Sequence, residues 1–301
     1  IRFMNFDEYL EKFYYYLSSE KRYSNNTLES YSNDLKLLTN FLESKKKKNW
    51  KSITELDITH YFKGLDKSLS KNTTKRKYAS IKSFFKFMLQ EGYIHKNILM
   101  DIKSPKSSSA IPKPLSIKEM DMILMKSNTS KKFSRDTSIF TTMYAAGLRV
   151  SEVLNINLGG IKIYDKTLKV SGKGSKERIL PIYQEACKEL EYYIKNIRPF
   201  FCKDNGFYSL LFTDKNSKPM TRQYVWRSLK IRALKVGIKK NVSPHMIRHS
   251  YATHLLQGGA SIRHVQEFLG HNSVESTQIY TKIPNQRLIK DYNLAHPRGN
   301  Q

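Results

Sequence analysis

Apolar residues recur along the first hundred positions at the spacing of a single helix face. Phe6, Leu10, Phe13 and Leu17 step by four, three and four, and so do Tyr31, Leu35, Leu38 and Leu42. That period predicts two amphipathic helices, with Ser24 or Asn26 capping the second. A further helix is predicted from about residue 72 to 90, with Tyr78, Ile81, Phe85 and Met88 as its apolar stripe. The stretch KSPKSSSAIPKP, residues 103–114, breaks the pattern with prolines, serines and lysines and no acid, which predicts an extended basic linker.

Beyond the linker, Ser116 followed three residues later by Glu119 marks a helix start. A helix is expected to end in AAGLRVSEVLNI. The period then shifts to two: KTLKVS and ERILPI read as strands, and GKGSK between them as a turn served by Gly172 and Gly174. Helical spacing returns from Gln184 to Ile197 and in PMTRQYVWRSLKIRALKVG. Ser243-Pro244 starts a helix that Gly258-Gly259 stops, Ser261 starts one that Gly270 stops, and Ser273 starts one that carries Tyr280. A short tail with Ile283, Leu288, Ile289 and Tyr292 could cover its own domain or dock on a neighbour. The fold class is therefore mainly α with a small β-sheet. Residues 1–102 form a helical domain, 103–114 a linker and 115–301 a mixed α/β domain.

Charge changes the picture from a generic helical protein to a partner of polyanions. Lys and Arg number 53 against 26 Asp and Glu, a net charge of +27, and both halves are basic. Lys71, Lys75, Lys82 and Lys86 fall together on the wheel of the 72–90 helix, and no acid occurs from residue 71 to 90. Arg222, Arg227, Lys230 and Arg232 make the later helix basic. These groups are the candidate contacts to that polyanion, with Arg222 and Arg227 chosen from the second set. Two cysteines give neither a disulfide framework nor a paired metal knuckle. No apolar run reaches the roughly 18 residues of a membrane helix. The expectation is a soluble, cytoplasmic protein that does not engage a membrane.

The candidate chemistry lies in polar groups at element boundaries. Arg149 follows AAGL, Lys173 sits at the hairpin tip, His245 and Arg248 are three apart on one helix face, His271 follows Gly270, and Tyr280 comes nine residues later. His245 and His249 are four apart, as in a zinc site. HMIRH supplies no glutamate base, however, and Arg248 would stand beside the cation. No metal and no cofactor are expected.

With GLRVSEVL, VSGKGSKERILPI, LFTDKNSKPMTRQ, SPHMIRHSYATHLLQGGASIRHVQEFLGH and STQIYTK in this order, the chain resembles the tyrosine recombinases of the phage integrase family, in particular the Xer type. The N-terminal YLSSEKRYSNNTLESYSNDLKLLTNFL and the terminal HPR fit the same type, so the resemblance covers almost the whole chain. It implies a two-domain C-shaped clamp, with an all-helical core-binding domain and a mixed α/β catalytic domain. The family's active-site roles fall on Arg149, Lys173, His245, Arg248, His271 and Tyr280. The resemblance makes Tyr280 the nucleophile, Lys173 the general acid, and a 3′-phosphotyrosyl link and a Holliday junction the intermediates.

Implied partners are double-stranded DNA carrying a short near-palindromic site, and a tetramer on two such sites in which each protomer donates its C-terminus to the next. That tetramer is made of one protein or of two paralogues, with a septal DNA translocase as a candidate activator. Chromosome dimer resolution is the implied task. An integrase of a phage or transposon would share the chemistry, and a non-catalytic DNA-binding relative is the rival of another class. Two positions depart from the pattern: Gly159-Gly160 replaces a polar or acidic residue before the isoleucine, and Lys282 stands where a histidine is common.

Overall fold

A computed structural model of the chain describes residues 5–21, 23–100, 102, 113–125, 130–172, 177–202, 209–270 and 286–299. It divides into two compact units, Ile1–Ile111 and Pro112–Gln301, each with its own apolar core.

The first unit is helical: α1 (Phe6–Ser19), α2 (Asn25–Ser44), α3 (Glu55–Ser68) and α4 (Lys71–Gln90). α1, α2 and α4 follow the spacing of their apolar residues. Ser24 is the N-cap of α2, although its hydroxyl meets that of Thr27 at 2.9 Å instead of a backbone N–H. α3 was not anticipated, yet its signals are in the sequence. Thr54 and Asp57 form a capping box, and Ile58, Tyr61, Phe62 and Leu65 line one face. Aromatic rings fill the core; Trp50 lies 4.5 Å from Phe84, centroid to centroid, and its indole N–H donates to the Phe6 carbonyl at 3.2 Å.

One buried carboxylate, Asp34 of α2, ties that helix to α4. It accepts from Lys77 at 2.9 Å and Ser80 at 3.1 Å and pairs with Arg76. Two of the bases on α4 are thereby structural.

The second unit begins with α5 (Ile117–Leu124), where Ser116 and Glu119 form the expected capping box. α6 (Lys131–Ala146) runs through the core and is buried on all sides from Arg135 onward. The helical run ending in AAGLRVSEVLNI breaks in two just before Arg149. Gly147 turns left-handed at φ +60° and ends α6, and α7 (Val150–Leu154) starts afresh. A Cβ at residue 147 would meet the Tyr251 ring at 2.4 Å, so both the turn and the close approach require glycine.

The sheet is antiparallel in the order β1 (Ile161–Lys162), β2 (Thr167–Ser171), β3 (Glu177–Pro181). The β2–β3 hairpin is the one the alternation predicts, while β1 is a two-residue addition. The double glycine ends a tight turn into β1. A Cβ on Gly160 would come 3.1 Å from the Lys169 carbonyl of β2, whereas Gly159 faces open space.

α8 (Gln184–Tyr192) continues into a π-helical turn over Tyr193–Ile197, so the run expected to Ile197 is present with a change of pitch. α9 (Arg222–Lys235), α10 (Pro244–Gln257) and α11 (Ile262–Leu269) have the predicted starts and stops. The helix expected from Ser273 lies outside the described residues.

α12 (Gln286–Ala295) and the residues after it pack into their own unit, where the resemblance implied docking on a neighbour. Tyr292 is fully buried, and its hydroxyl donates to the Ala145 carbonyl at 2.7 Å. His296 stacks on Tyr183 at 4.8 Å, and Arg298 Nε donates to Asp121 at 3.0 Å. Tyr292 and Ala295 are thus buried within one chain, while Leu294 stays exposed. Among the described residues no helix is long and apolar enough to cross a membrane.

Candidate active site

Where α6 stops, α7 begins with Arg149 as its N-cap. The residue's backbone N–H donates to Glu152 Oε2 at 2.8 Å and its Nη1 to Oε1 at 2.9 Å. Glu152 thus accepts from both the backbone and the guanidinium of Arg149, which fixes the side chain while leaving it 40% exposed. Glu152 itself is buried. Two further guanidiniums reach it: Arg178 of β3, with Nη2 at 3.1 Å from Oε2, and Arg248 of α10, with Nη1 at 3.5 Å. Burial would push the Glu152 carboxyl up. Arg178, the Arg149 N–H and Arg248 outweigh that and hold it below the usual carboxylate range, so it stays ionised.

Arg248 is 8% exposed and survives burial by bridging two helix C-termini. Nη1 donates to the carbonyl of Gly147 at 2.7 Å and Nη2 to that of Leu269. Carbonyls at helix ends carry the negative pole of the helix and suit a cation. Burial, and then the Arg149 charge, still lower its pKa to about 10. Those two carbonyls use two of the five guanidinium donors, so others are left for a ligand. The arrangement can therefore present two planar, positively charged forks, pre-set by one carboxylate, to a tetrahedral anion.

His245 is exposed in the first turn of α10, one turn from Arg248. The structure brings Arg149 and Arg248 together around Glu152 and sets His245 on the same helix as Arg248. Lys173, His271 and Tyr280 lie outside the described residues.

His254 is structural: its ring nitrogens meet the Tyr144 hydroxyl at 2.7 Å and the Leu115 carbonyl at 2.8 Å, and burial lowers its pKa. Glu152 and Arg178 received no role from the sequence, yet both left a signal. Glu152 stands at capping-box distance from Arg149, and Arg178 occupies an inward-facing strand position in phase with Leu180.

Of the candidate DNA contacts, Lys71, Lys75, Lys82 and Lys86 are exposed and form one stripe along α4. Arg222 and Arg227 are exposed on α9 but face different ways. Arg227 lines a groove of about 380 Å³ with Lys132, Tyr224, Ile231 and Lys235. Arg232, counted above with the basic side of this helix, is buried. It donates to the Ile123 carbonyl at 2.9 Å and lies 3.4 Å over the Phe133 ring, so it holds the core together.

Comparison with known proteins gives the family and the fold. Residues 113–287 match the phage integrase family, and residues 10–92 match the phage integrase N-terminal SAM-like domain. Tyrosine recombinase XerD of Oceanobacillus iheyensis is 37% identical over 295 residues, covering 96% of this chain and 98% of the relative. Tyrosine recombinase XerD of Lacticaseibacillus casei is 36% identical over 288 residues, covering 95% and 98%. Among solved structures, the Tn1549 transposon integrase in complex with a circular intermediate DNA has the same fold, with a TM-score of 0.73. It is 19% identical and the match covers 90% of this chain and 93% of that one.

Proposed function

The chain belongs to the phage integrase family, as a site-specific tyrosine recombinase of the Xer type, and from there we propose how its residues divide the work. Tyr280 attacks a backbone phosphorus of DNA. The phenol oxygen bonds to phosphorus, the bond to the 5′-oxygen breaks, and the 3′-phosphate remains on the tyrosine.

A phenol of pKa near 10 is ionised to only about 0.1% at neutral pH. Positioning and surrounding charge must make up the difference. Arg149 and Arg248 bind the non-bridging oxygens and stabilise the charge that builds on them in transit, usually the largest catalytic contribution. His245 and His271 hydrogen-bond the phosphate or take up the phenol's proton, and Lys173 protonates the departing 5′-oxygen. The covalent link keeps the energy of the phosphodiester, so a 5′-hydroxyl can rejoin the strand by the reverse steps without ATP.

The observation that carries this reading is the convergence of Arg149 and Arg248 on the ionised Glu152, with Arg149 partly open to solvent. The stripe of Lys71, Lys75, Lys82 and Lys86 and the exposed Arg222 and Arg227 are the candidates for contacts to the DNA backbone. We assign the protein to two near-palindromic sites joined in a tetramer, either of one protein or of two paralogues, with chromosome dimer resolution as its task. A septal DNA translocase fits as activator, and the nucleoid as location.

A suicide substrate nicked beside the cleavage point tests the chemistry. The wild-type protein becomes covalently attached, and Tyr280→Phe binds equally well but never attaches. Tight binding to the protein's own site without attachment by the wild type would leave a DNA-binding protein without catalysis.

A further inference from the structure

The inward face of the β2–β3 hairpin is apolar except at one place. Leu168 and Val170 on β2 and Leu180 on β3 are buried, and Arg178, in phase with Leu180 and directly across from Val170, is only 7% exposed. A leucine or valine there would satisfy the strand's pattern. A buried guanidinium costs several kcal/mol unless it is well paired. Here the pairing is partial: Nη2 lies 3.1 Å from Glu152 Oε2, while Nε has no hydrogen-bond partner among the described residues. The group also packs against the left-handed turn that ends α11, so closely that a Cβ on Gly270 would come 3.4 Å from Arg178 Cζ.

Arg178 thus adjoins both devices that set the two phosphate-binding arginines. One is Glu152, which grips Arg149 at 2.9 Å; the other is the Leu269–Gly270 turn, whose carbonyl holds Arg248. We infer that Arg178 is a positioning residue for strand cleavage: it fixes the Glu152 carboxylate and the turn after α11 so that Arg149 and Arg248 meet the phosphate together. The inference rests on the reading of those two arginines as the phosphate's cationic partners.

A substrate whose charge can be removed separates positioning from mere folding. Strand cleavage is measured on the nicked substrate with an ordinary scissile phosphodiester, and on one in which a non-bridging oxygen is replaced by methyl, a neutral methylphosphonate. Arg178→Met keeps the aliphatic stem and removes the fork. It is expected to bind DNA within about threefold of wild type and to cleave the phosphodiester about 100-fold more slowly, the scale of a small misplacement of catalytic groups. On the methylphosphonate, where less charge needs support, the deficit is expected to shrink to under about tenfold.

An equal deficit on both substrates, or none on either, overturns the inference. Should Arg178→Met fail to fold, Arg178→Lys, which retains the charge without the planar fork, carries the same comparison. Arg149→Ala is the control. If it too fails to recover on the neutral substrate, the reading of Arg149 falls; if it recovers and Arg178→Met does not, only the role of Arg178 falls.

Discussion

Three guanidiniums share one buried carboxylate in the second unit, and removing that carboxylate leaves three like charges facing one another. Glu152→Gln keeps the shape and some hydrogen bonding but not the charge. Stranding buried charges in this way typically costs about 3–5 kcal/mol, so its thermal midpoint is expected well below that of wild type. Covalent attachment to the nicked substrate is expected to be lost as well.

His296 presents the opposite case, a buried group that stays neutral. Burial drives its pKa down to about 3, against about 6.5 in an unfolded chain. The unfolded state therefore binds the extra proton as pH falls below about 6.5, and stability drops with it. By about pH 5 the loss is about 2 kcal/mol from this residue. His254, also lowered, adds in the same direction. His296→Phe, which keeps a ring against Tyr183, is expected to flatten the fall in midpoint between about pH 7 and pH 5; an unchanged slope would exclude His296 as its source.

At the scale of elements, the basic helices do two jobs that residue type alone does not separate. On α4, Arg76 and Lys77 are bound to Asp34, while Lys82 and Lys86 are exposed one turn apart. Lys82→Ala with Lys86→Ala is expected to leave folding intact and weaken DNA binding. The plot of log affinity against log salt concentration should lose up to about 0.9 in slope for each phosphate contact removed. On α9, Arg232→Ala is expected to act the other way. Its guanidinium satisfies the Ile123 and Phe133 carbonyls, so the change lowers the unfolding midpoint. The turn between α6 and α7 is as strict. Gly147→Ala combines a left-handed backbone with a methyl pressed into Tyr251, about 2–5 kcal/mol by the usual cost of each. Gly159→Ala, facing open space, should be close to neutral.

Across the whole molecule, each unit has its own core, and the C-terminal tail belongs to the second. Tyr292→Ala opens a cavity where a fully buried ring had been, and a loss of about 3–5 kcal/mol is expected. Because the contact lies within one chain, the loss should be independent of protein concentration in dilute solution. A midpoint that rises with concentration in the wild type and not in the variant would place the tail on a neighbouring copy instead.

Much of this architecture was legible because the signals are local. The four-three-four spacing of Phe6 to Leu17, the Ser116–Glu119 box, the Ser243-Pro244 start and the alternation in ERILPI each depend on neighbours within one turn or one strand. Arg149 and Arg248 stood out only through the motifs that carry the family resemblance, since neither is distinctive by its own spacing. What sequence could not supply is distance between segments. Glu152 reads as an ordinary first-turn acid until Arg178 and Arg248, distant along the chain, close on it. Arg232 reads as a surface base until α5 and α6 cover it. The tail from Gln286 had an apolar side whose cover no periodicity can name, and only packing against α6 and α10 decided it. Local hydrogen bonding and side-chain period are written in consecutive residues; burial, pairing and the sharing of one charge by three partners arise only when the chain has brought remote residues into contact.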